Sequence, residues 1–475
     1  MRTEFLVGGE WVRKKEDMPV VYPYTGETVA MVSRAEEEDV QKAIELAKEG
    51  HKEMASLTPY ERYEILTKAS QILSQRSEEI AKTLVMEVGK TIREARTEVQ
   101  RALQTLVFSA EEAKRVGGEV IPIDAHPNGR GKVGFYLREP VGIVCAITPF
   151  NFPLNLSMHK VAPALACGNA VVLKPSEKTP LTPLLLGEIL LEAGLPPRAL
   201  SVLPGYGEVG RAMTTHPEVR VVSFTGSRKV GELITRQAGI KKVILELGSN
   251  SALILHRDGD LKRAVQKTLQ GGYAIAGQVC ISVQRVFVHE ELFQTFLQEL
   301  KSALSSLKVG DPMEESTDVG PMIGASEVRR VQEWIEEALH EGAKLVAGEV
   351  PRQAESALLT PTLVSLVPPH ARLFREEAFA PVVVVNPYRE LEEAINMVND
   401  SEYGLQVGVF TRDLQVAWEC IKKIKAGSVL INEGPTFRAD HMPYGGVKFS
   451  GIGREGPKYA VEDYTEIKMV LFDLS

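Results

Sequence analysis

The sequence predicts an α/β fold built on parallel sheets. Short apolar segments alternate with amphipathic segments in which apolar residues recur every three or four positions, a pattern typical of parallel strands joined by right-handed helical crossovers. The chain has 475 residues, which at roughly 150 residues per domain predicts about three domains. A composition of 44% hydrophobic and 25% charged residues is typical of a globular protein with a sizeable core.

The predicted elements begin with short strands and turns over the first 35 residues. Helical periodicity then covers residues 36–57, and Thr58 with Glu61 forms a T-x-x-E capping box that opens the next helix. Helical character continues, with breaks, to about residue 115. Residues 119–140 combine alternating apolar residues with Pro and Gly, which predicts an extended excursion or hairpin.

Two series of strands and helices follow. The first predicts strands at VGIVCAIT, NAVVLKP, ALSVLPG, VRVVSFTG and KKVILELG, each separated from the next by a helix. The second begins with a helix near Leu261 and predicts strands at QRVFVH, PTLVSL, PVVVVNPY, SVLIN and IKMVLFDLS. The strict alternation in the first series indicates a parallel sheet with helical crossovers.

Charge and cysteine content disfavour several classes of protein. A net charge of −8 disfavours a nucleic-acid binder, which usually has a basic face. The four cysteines have neither CxxC nor metal-ligand spacing, so we expect no metal site, no disulfide framework and a reducing compartment. No segment reaches the ~18 uncharged apolar residues of a membrane span, and the first residues do not resemble a signal peptide. We therefore expect a cytoplasmic protein that contacts neither membrane nor nucleic acid.

Three residues stand in local sequences that suit catalysis. Cys280, in GGYAIAGQVCIS, has small neighbours that permit close approach to a reactive sulfur, although most free cysteines are buried and inert. Glu246 ends an apolar strand, where open α/β sheets place ligand chemistry, or is an ordinary terminal or surface acid. Asn151 has an amide suited to an oxyanion hole, or is a turn residue. Lys160, on the helix after Asn151, either supports the site or is structural.

Seven segments together resemble the aldehyde dehydrogenase superfamily over essentially the whole chain. They occur in that family's order, and 34 positions separate Glu246 from Cys280 as they do there. The segments are TPFNFP, KPSE, FTGSRKVG, ELGSN, GQVC, EEAFAP and MPYGGVKFSG. The loop INEGPTFRADHMPYGG is similar to the lactaldehyde dehydrogenase branch. Ala380 departs from the family pattern, since most relatives have Gly there.

The resemblance implies a reaction. Cys280 would attack the aldehyde carbon, and the Asn151 side chain with the Cys280 backbone N–H would hold the oxyanion. After hydride transfer to a nicotinamide, Glu246 would activate the water that hydrolyses the thioester to the acid. Coenzyme A-acylating relatives tend to lack this base, so water is the expected acceptor. A coenzyme A-acylating enzyme and a non-catalytic scaffold on the same fold are the alternatives.

The resemblance also implies an architecture. It has a Rossmann-like, parallel-sheet cofactor domain (residues 1–118 and 141–247), an α/β catalytic domain (248–446) and a small β oligomerisation element (119–140 and 460–475). An exposed strand edge in the last of these is usually paired by a partner subunit, so we expect a homodimer or homotetramer.

NAD is the expected cofactor, with NADP as the alternative. The resemblance places Lys174 and Glu177 at the adenosine ribose, where the carboxylate would repel a 2′-phosphate, although Arg228 and Lys229 could soften that discrimination. GYGEVG at 205–210 matches G-x-G-x-x-G, but the family places this loop near the adenine and the pyrophosphate at 226–231. The implied cofactor residues are Thr148, Pro149, Phe150, Lys174, Ser176, Glu177, Gly207, Phe224, Gly226, Ser227, Val230, Gly231, Leu247, Glu377 and Phe379.

The expected substrate is a small aliphatic aldehyde that is hydroxylated or anionic. Positive side chains at the substrate mouth would suit an anionic tail, and a solvated charge or a structural ion pair is the alternative for each of them. Val279 stands where some phosphate-recognising relatives carry Arg, which argues against a phosphate. The implied substrate residues are Arg101, Phe152, Ile281, Arg438 and His441.

Overall fold

The computed structural model describes residues 2–349 and 356–474, and two large sheets organise them. The first sheet has eight strands. The five neighbours from Lys242–Glu246 to Leu200–Val202, both included, are parallel. The parallel strands are almost wholly buried, as expected for a sheet covered on both faces. In spatial order the strands are Gly451–Ile452, Lys242–Glu246, Val219–Thr225, Ile143–Ile147, Ala170–Lys174, Leu200–Val202, Phe5–Val7 and Glu10–Val12.

The helices of the N-terminal half follow their capping and periodicity signals. The helix predicted over 36–57 extends from Glu37 to Ser56. In the predicted capping box, Thr58 Oγ1 accepts from the Glu61 N–H at 3.2 Å and Glu61 Oε2 accepts from the Thr58 N–H at 2.7 Å. The helices are Glu37–Ser56, Pro59–Gln75, Ser77–Val88, Ile92–Ala113, Pro153–Ala166, Leu181–Glu192, Gly207–Thr215 and Arg228–Gln237.

The second sheet has seven strands and is parallel except at one edge, where Lys344–Ala347 is antiparallel. In spatial order its strands are Lys344–Ala347, Thr362–Ser365, Val382–Tyr388, Arg285–His289, Ala252–Leu255, Gln406–Phe410 and Ser428–Ile431. Short buried strands are brief apolar runs without a distinctive period, so the sequence does not single out Ala252–Leu255 or Gln406–Phe410. The accompanying helices are Leu261–Tyr273, Glu290–Leu304, Ala325–His340, Arg372–Arg375, Leu391–Asn399 and Leu414–Lys423. The helix Pro457–Tyr464 instead packs against the core of the first sheet.

Two small sheets complete the chain. Asp17–Val21 pairs with Thr28–Ser33. Lys132–Pro140 pairs with both Glu119–Ile121 and Thr465–Asp473, in a three-stranded antiparallel sheet whose long register runs from Thr465 opposite Pro140 to Asp473 opposite Lys132. The excursion at 119–140 is therefore extended as predicted, except for two short 3₁₀ turns, Ile123–Ala125 and Pro127–Gly129. The predicted division into domains stays a prediction.

The loop that carries Cys280 lies between two apolar cores. Ile275, Val279 and Ile281 pack into the core around the first sheet, whereas Ala276 and Val283 pack into the core around the second. Gly451–Ile452 returns from the C-terminal half to pair with the end of Lys242–Glu246. Residues of both halves thus meet at the carboxyl end of the first sheet, where open α/β sheets place their ligands.

Among the described residues, every helix is too short or too polar to traverse a bilayer.

Candidate active site

Cys280 sits at a cavity of about 520 Å³. Its loop has left-handed backbone at Ile275, Ala276 and Gly277, with φ of 50°, 51° and 71°. A Cβ at Gly277 would lie 1.9 Å from the carbonyl oxygen of Ala380, so only glycine fits there. The Cys280 Sγ lies 2.9 Å from the Tyr444 hydroxyl oxygen. Burial raises the pKa of the Cys280 thiol to about 11, although the Tyr444 hydrogen bond and the charge of Arg438 lower it.

Asn151 is held beside this cysteine by three hydrogen bonds. Its carbonyl oxygen accepts from Lys90 Nζ at 2.6 Å, and its Oδ1 accepts from the Phe152 N–H at 3.1 Å. Its Nδ2 donates to the carbonyl of Gln278 at 2.9 Å, two residues before Cys280. An amide nitrogen has two N–H donors, so this contact uses one of them, and Asn151 itself lies outside the residues that line the cavity.

Glu246 ends the strand Lys242–Glu246 and is 3% exposed. Within the described part of the chain, neither of its carboxylate oxygens has a hydrogen-bond partner. Burial and the neighbouring negative charge of Glu455 raise the pKa of Glu246 well above its usual value. A buried carboxyl group with free oxygens and a raised pKa is suited to accept a proton from water.

A buried charge network lies behind these residues, and the sequence gives little sign of it. Lys160 Nζ donates to Glu455 Oε1 at 2.6 Å, and Arg438 Nη2 donates to Glu455 Oε2 at 3.1 Å. Both cations lower the pKa of Glu455, which stays ionised while Glu246 beside it favours the protonated form. Lys160 therefore supports the site through Glu455, a residue the sequence analysis does not name because a lone acid in GREGP carries no local signal.

The cavity brings together four of the five predicted substrate residues. Arg101, Phe152, Ile281 and Arg438 line it, whereas the exposed His441 packs on the ring of Phe108 and lies outside the lining. The placement predicted for His441 at the substrate mouth thus differs from the structure, because its side chain turns to the helix Ile92–Ala113.

Three arginines line the cavity, and each is paired with a carboxylate: Arg93 with Asp318, Arg101 with Asp440 and Arg438 with Glu455. Arg101 makes a bidentate pair with Asp440, through Nη2 at 2.8 Å and Nε at 3.2 Å. Asp440 also accepts from Asn155 Nδ2 at 3.1 Å, and its pKa is lowered by its contacts with His159 and Arg101. The Arg438 side chain is 5% exposed, and its Nε is buried without a partner in the described chain. A buried donor that lacks an acceptor is costly, which makes Arg438 a candidate partner for an anionic ligand.

A second cleft, of about 500 Å³, adjoins the carboxyl ends of the first-sheet strands. Lys174 there is 6% exposed, burial lowers its pKa, and its ammonium donates to the Pro175 carbonyl at 3.2 Å. The cleft meets the starts of two helices, Gly207–Thr215 and Arg228–Gln237. It is lined by eleven predicted cofactor residues: Thr148, Pro149, Phe150, Lys174, Ser176, Glu177, Gly207, Phe224, Gly226, Ser227 and Val230.

The other four predicted cofactor residues flank this cleft. Leu247 packs on Gly231, where a Cβ would lie 2.6 Å from its side chain. Phe379 meets Phe150 edge to face, with ring centroids 5.8 Å apart. Glu377 accepts from the Ser249 N–H at 2.8 Å, and burial raises its pKa to about 7. The buried ammonium and the open helix starts suit a dinucleotide with hydroxyl and phosphate groups.

The remaining cysteines lie in the apolar cores. Cys145 and Cys167 belong to the core of the first sheet and Cys420 to that of the second. Burial raises their thiol pKa values to about 12, 12 and 11. They line neither the cavity at Cys280 nor the second cleft, so they are packing residues.

Comparison with known proteins agrees with this arrangement. Residues 11–470 match the aldehyde dehydrogenase family, and the chain belongs to that family. It is 48% identical to 3-sulfolactaldehyde dehydrogenase of Priestia aryabhattai, over 98% of this chain and 97% of that one. It is 38% identical to lactaldehyde dehydrogenase of Methanococcus aeolicus, over 98% and 99%. The crystal structure of aldehyde dehydrogenase 21 from Physcomitrella patens, in complex with the reaction product succinate, superposes with a TM-score of 0.96 at 40% identity, over 99% and 98% of the two chains.

The predicted family, fold class and reaction class are thus confirmed. The chain is an oxidoreductase that acts on an aldehyde with NAD(P), and solved relatives include complexes with NADP and with NAD⁺.

Proposed function

We propose that this enzyme oxidises a small hydroxylated aldehyde with an anionic tail to the carboxylic acid, using NAD. The observation that carries the proposal is the buried Arg438 in the cavity beside Cys280, with an Nε that lacks an acceptor among the described residues. The names of the relatives support it, since sulfolactaldehyde has a sulfonate and the bound succinate of the solved relative has two carboxylates.

The first chemical step uses Cys280 and Asn151. The Cys280 thiolate forms a bond to the aldehyde carbon, and the carbonyl electron pair moves to oxygen. The free N–H of the Asn151 amide and the backbone N–H of Cys280 are the donors for that oxyanion. Lys174, Glu177 and the helix start at Ser227 would hold NAD in the second cleft, where it would supply the hydride acceptor. Loss of hydride from the adduct to that acceptor would leave an acyl group on Sγ as a thioester.

The second step uses Glu246. Its carboxylate takes a proton from water, and the resulting hydroxide attacks the thioester, which releases the acid and returns Cys280. Ionised Glu455 keeps the pKa of Glu246 high, which makes Glu246 a stronger base. The buried Glu246 thus supports water as the acceptor over coenzyme A. Turnover that depends strictly on coenzyme A would contradict this part of the proposal.

NAD is favoured over NADP by charge in the adenosine end of the cleft. Glu177 lines it, and Lys174 experiences the negative charge of both Glu177 and Glu208. Arg211, which also lines the cleft, is paired with Glu37 at 2.7 Å. The negative charges of two carboxylates would repel a 2′-phosphate, and Arg211 already has a carboxylate partner.

Arg101 and Arg438 are proposed to bind the anionic tail. They lie in one cavity with Cys280, and the central guanidinium carbon of Arg101 is 5.6 Å from the centroid of the Phe152 ring. A charge-assisted hydrogen bond contributes ~1.5–3 kcal/mol, so removal of one arginine should cost about 10- to 100-fold in kcat/KM for an anionic aldehyde.

The test compares paired substrates and paired variants. Sulfolactaldehyde and succinic semialdehyde are assayed against lactaldehyde and propionaldehyde by NADH formation. Arg101→Gln should lower kcat/KM for the anionic pair selectively, while the control Arg96→Gln, on the same helix but outside the cavity lining and paired with Glu78, should change both pairs little. Equal losses for neutral and anionic aldehydes would refute an anion site. Absence of turnover across the panel, or a biological activity unchanged in Cys280→Ser, would favour a scaffold role.

The three-stranded sheet supports the further proposal of a homodimer or homotetramer. It exposes several large apolar side chains, which an assembly would cover. They are Val120, Val133, Leu137, Ile467, Met469, Leu471 and Phe472. Light scattering after size exclusion should give a dimer or tetramer mass, and a monomer at micromolar concentration would contradict the proposal. A cytoplasmic location is proposed with it, because the cysteines of the described chain are free thiols.

A further inference from the structure

We propose that Tyr444 is a catalytic residue whose hydroxyl donates a hydrogen bond to the Cys280 thiolate, with the Arg438 cation against its ring to strengthen that donation. This goes beyond the roles of Cys280, Asn151 and Glu246, and it rests on the proposed use of Cys280 as the nucleophile. Tyr444 lies within the motif MPYGGVKFSG, one of those that carry the family resemblance.

The first observation is the contact itself. The Tyr444 hydroxyl oxygen and the Cys280 Sγ are 2.9 Å apart, across 164 positions of the chain. Tyr444 is 2% exposed, and two backbone hydrogen bonds with Glu455, of 3.0 and 2.7 Å, fix the position of its main chain. The ring is thus anchored beside the reacting sulfur.

The protonation states decide which atom donates. Burial and the negative charges nearby raise the pKa of Tyr444 well above its usual value, so its hydroxyl keeps its proton. A thiolate has no proton and can only accept. On ionisation the thiol proton leaves to water while Tyr444 retains its own, and the hydrogen bond then stabilises the ionised sulfur. A phenylalanine at this position would provide no such donor.

The second, independent observation is a cation on the face of the Tyr444 ring. The central guanidinium carbon of Arg438 lies 3.7 Å from the centroid of the Tyr444 ring. Arg438 is held there by Glu455, at 3.1 Å, and by the ring of His159, at 3.2 Å. Burial lowers the pKa of His159 to about 4, so its ring is neutral and places no second positive charge beside Arg438. A cation on the ring face withdraws electron density and makes the hydroxyl a better donor.

Four groups bear on the ionisation of Cys280. The Tyr444 hydrogen bond and the Arg438 charge lower the pKa of the thiol, whereas Glu246 and Glu377 raise it, together with burial. Tyr444 and Arg438 therefore oppose the two carboxylates. Without them, the thiolate fraction near neutral pH would fall further.

The experiment measures the thiol directly and needs neither aldehyde nor cofactor. The rate of alkylation of Cys280 by iodoacetamide is followed against pH in the wild type, Tyr444→Phe and Tyr388→Phe, with Cys280→Ser as the blank. Tyr388 is the matched control, because it is a buried tyrosine whose hydroxyl bonds the Leu255 carbonyl, in the second sheet. Circular dichroism checks that each variant is folded.

Tyr444→Phe should raise the pKa of alkylation by about one unit and slow alkylation about tenfold below that pKa, because a hydrogen bond to a charged group is lost. Tyr388→Phe should match the wild type. An alkylation pKa in Tyr444→Phe that is equal to or below that of the wild type would overturn the proposal.

A second measurement covers the case in which Tyr444→Phe does not fold. Arg438→Gln should also raise the pKa of Cys280, read from thiolate absorbance at 240 nm, and an unchanged or lower value there would overturn the proposal. Failure of the proposed function appears separately, as an absence of aldehyde oxidation in a wild-type enzyme whose Cys280 is still alkylated.

Discussion

Lys90 and Glu98 form an ion pair whose side chains are both 0% exposed, and its disruption should be costly. Lys90 also donates to the Asn151 carbonyl at 2.6 Å, and Glu98 Oε1 accepts the N–H groups of Leu154 and Asn155 at 3.0 and 3.1 Å. In Lys90→Met the Glu98 charge is left buried without its cation. Such a loss typically costs ~3–5 kcal/mol.

The expected thermal shift follows from the size of the chain. At ~2.1 cal/mol/K per residue, cooperative unfolding of 475 residues has an entropy of about 1 kcal/mol/K. Lys90→Met should therefore lower Tm by about 3 to 5 °C in differential scanning fluorimetry. The control is Lys52→Met, because Lys52 and Glu49 form an exposed pair, with side chains 70% and 49% exposed. Its cost of ~0–1 kcal/mol corresponds to a shift of at most about 1 °C.

A rescue variant tests the electrostatic reasoning. In Lys90→Met combined with Glu98→Gln, no charge is left buried, and the glutamine oxygen can still accept from the Leu154 and Asn155 N–H groups. The double variant should recover part of the lost Tm relative to Lys90→Met alone. A Lys90→Met shift equal to that of Lys52→Met, or a double variant less stable than the single one, would refute the reasoning.

Three further predictions concern the chemistry and the backbone. Glu246→Gln should release about one NADH per active site in a burst and then turn over ~10²–10⁴-fold more slowly, because thioester hydrolysis loses its base. Stopped-flow absorbance at 340 nm would show the burst, and unchanged steady-state turnover would contradict this role of Glu246. Glu455 raises the pKa of Glu246, and hydrolysis needs the Glu246 carboxylate. Glu455→Gln should therefore move the acid limb of the pH–rate profile to lower pH. A move to higher pH would count against the coupling of the two carboxyl groups. Glu177→Gln should raise kcat/KM for NADP relative to NAD at least about tenfold, since a like charge near a phosphate costs a few kcal/mol, and an unchanged ratio would leave Glu177 without that role.

Much of the fold follows from local patterns. The first series of strands and helices, the capping box at Thr58 and the extended segment around 132–140 depend on periodicity, capping and breakers within short windows. The short central strands Ala252–Leu255 and Gln406–Phe410 do not, because a buried run of four or five apolar residues is ambiguous until its neighbours in the sheet are known.

The candidate site likewise has features that the sequence indicates and features that depend on the tertiary structure. The sequence by itself determined the family, and it predicted the nucleophile Cys280, the base Glu246 and most of the cofactor cleft, because these residues lie in motifs whose order can be read along the chain. Tertiary structure decided the partners of these residues: Tyr444 against Cys280, and Lys160 against Glu455 at a separation of 295 positions. It also decided that Arg101 pairs with Asp440, 339 positions away, while His441 turns from the cavity. Charged residues this far apart in sequence become neighbours only when the chain folds. The stability of each pair depends on how deeply the folded protein buries it, and a short stretch of sequence does not show that burial.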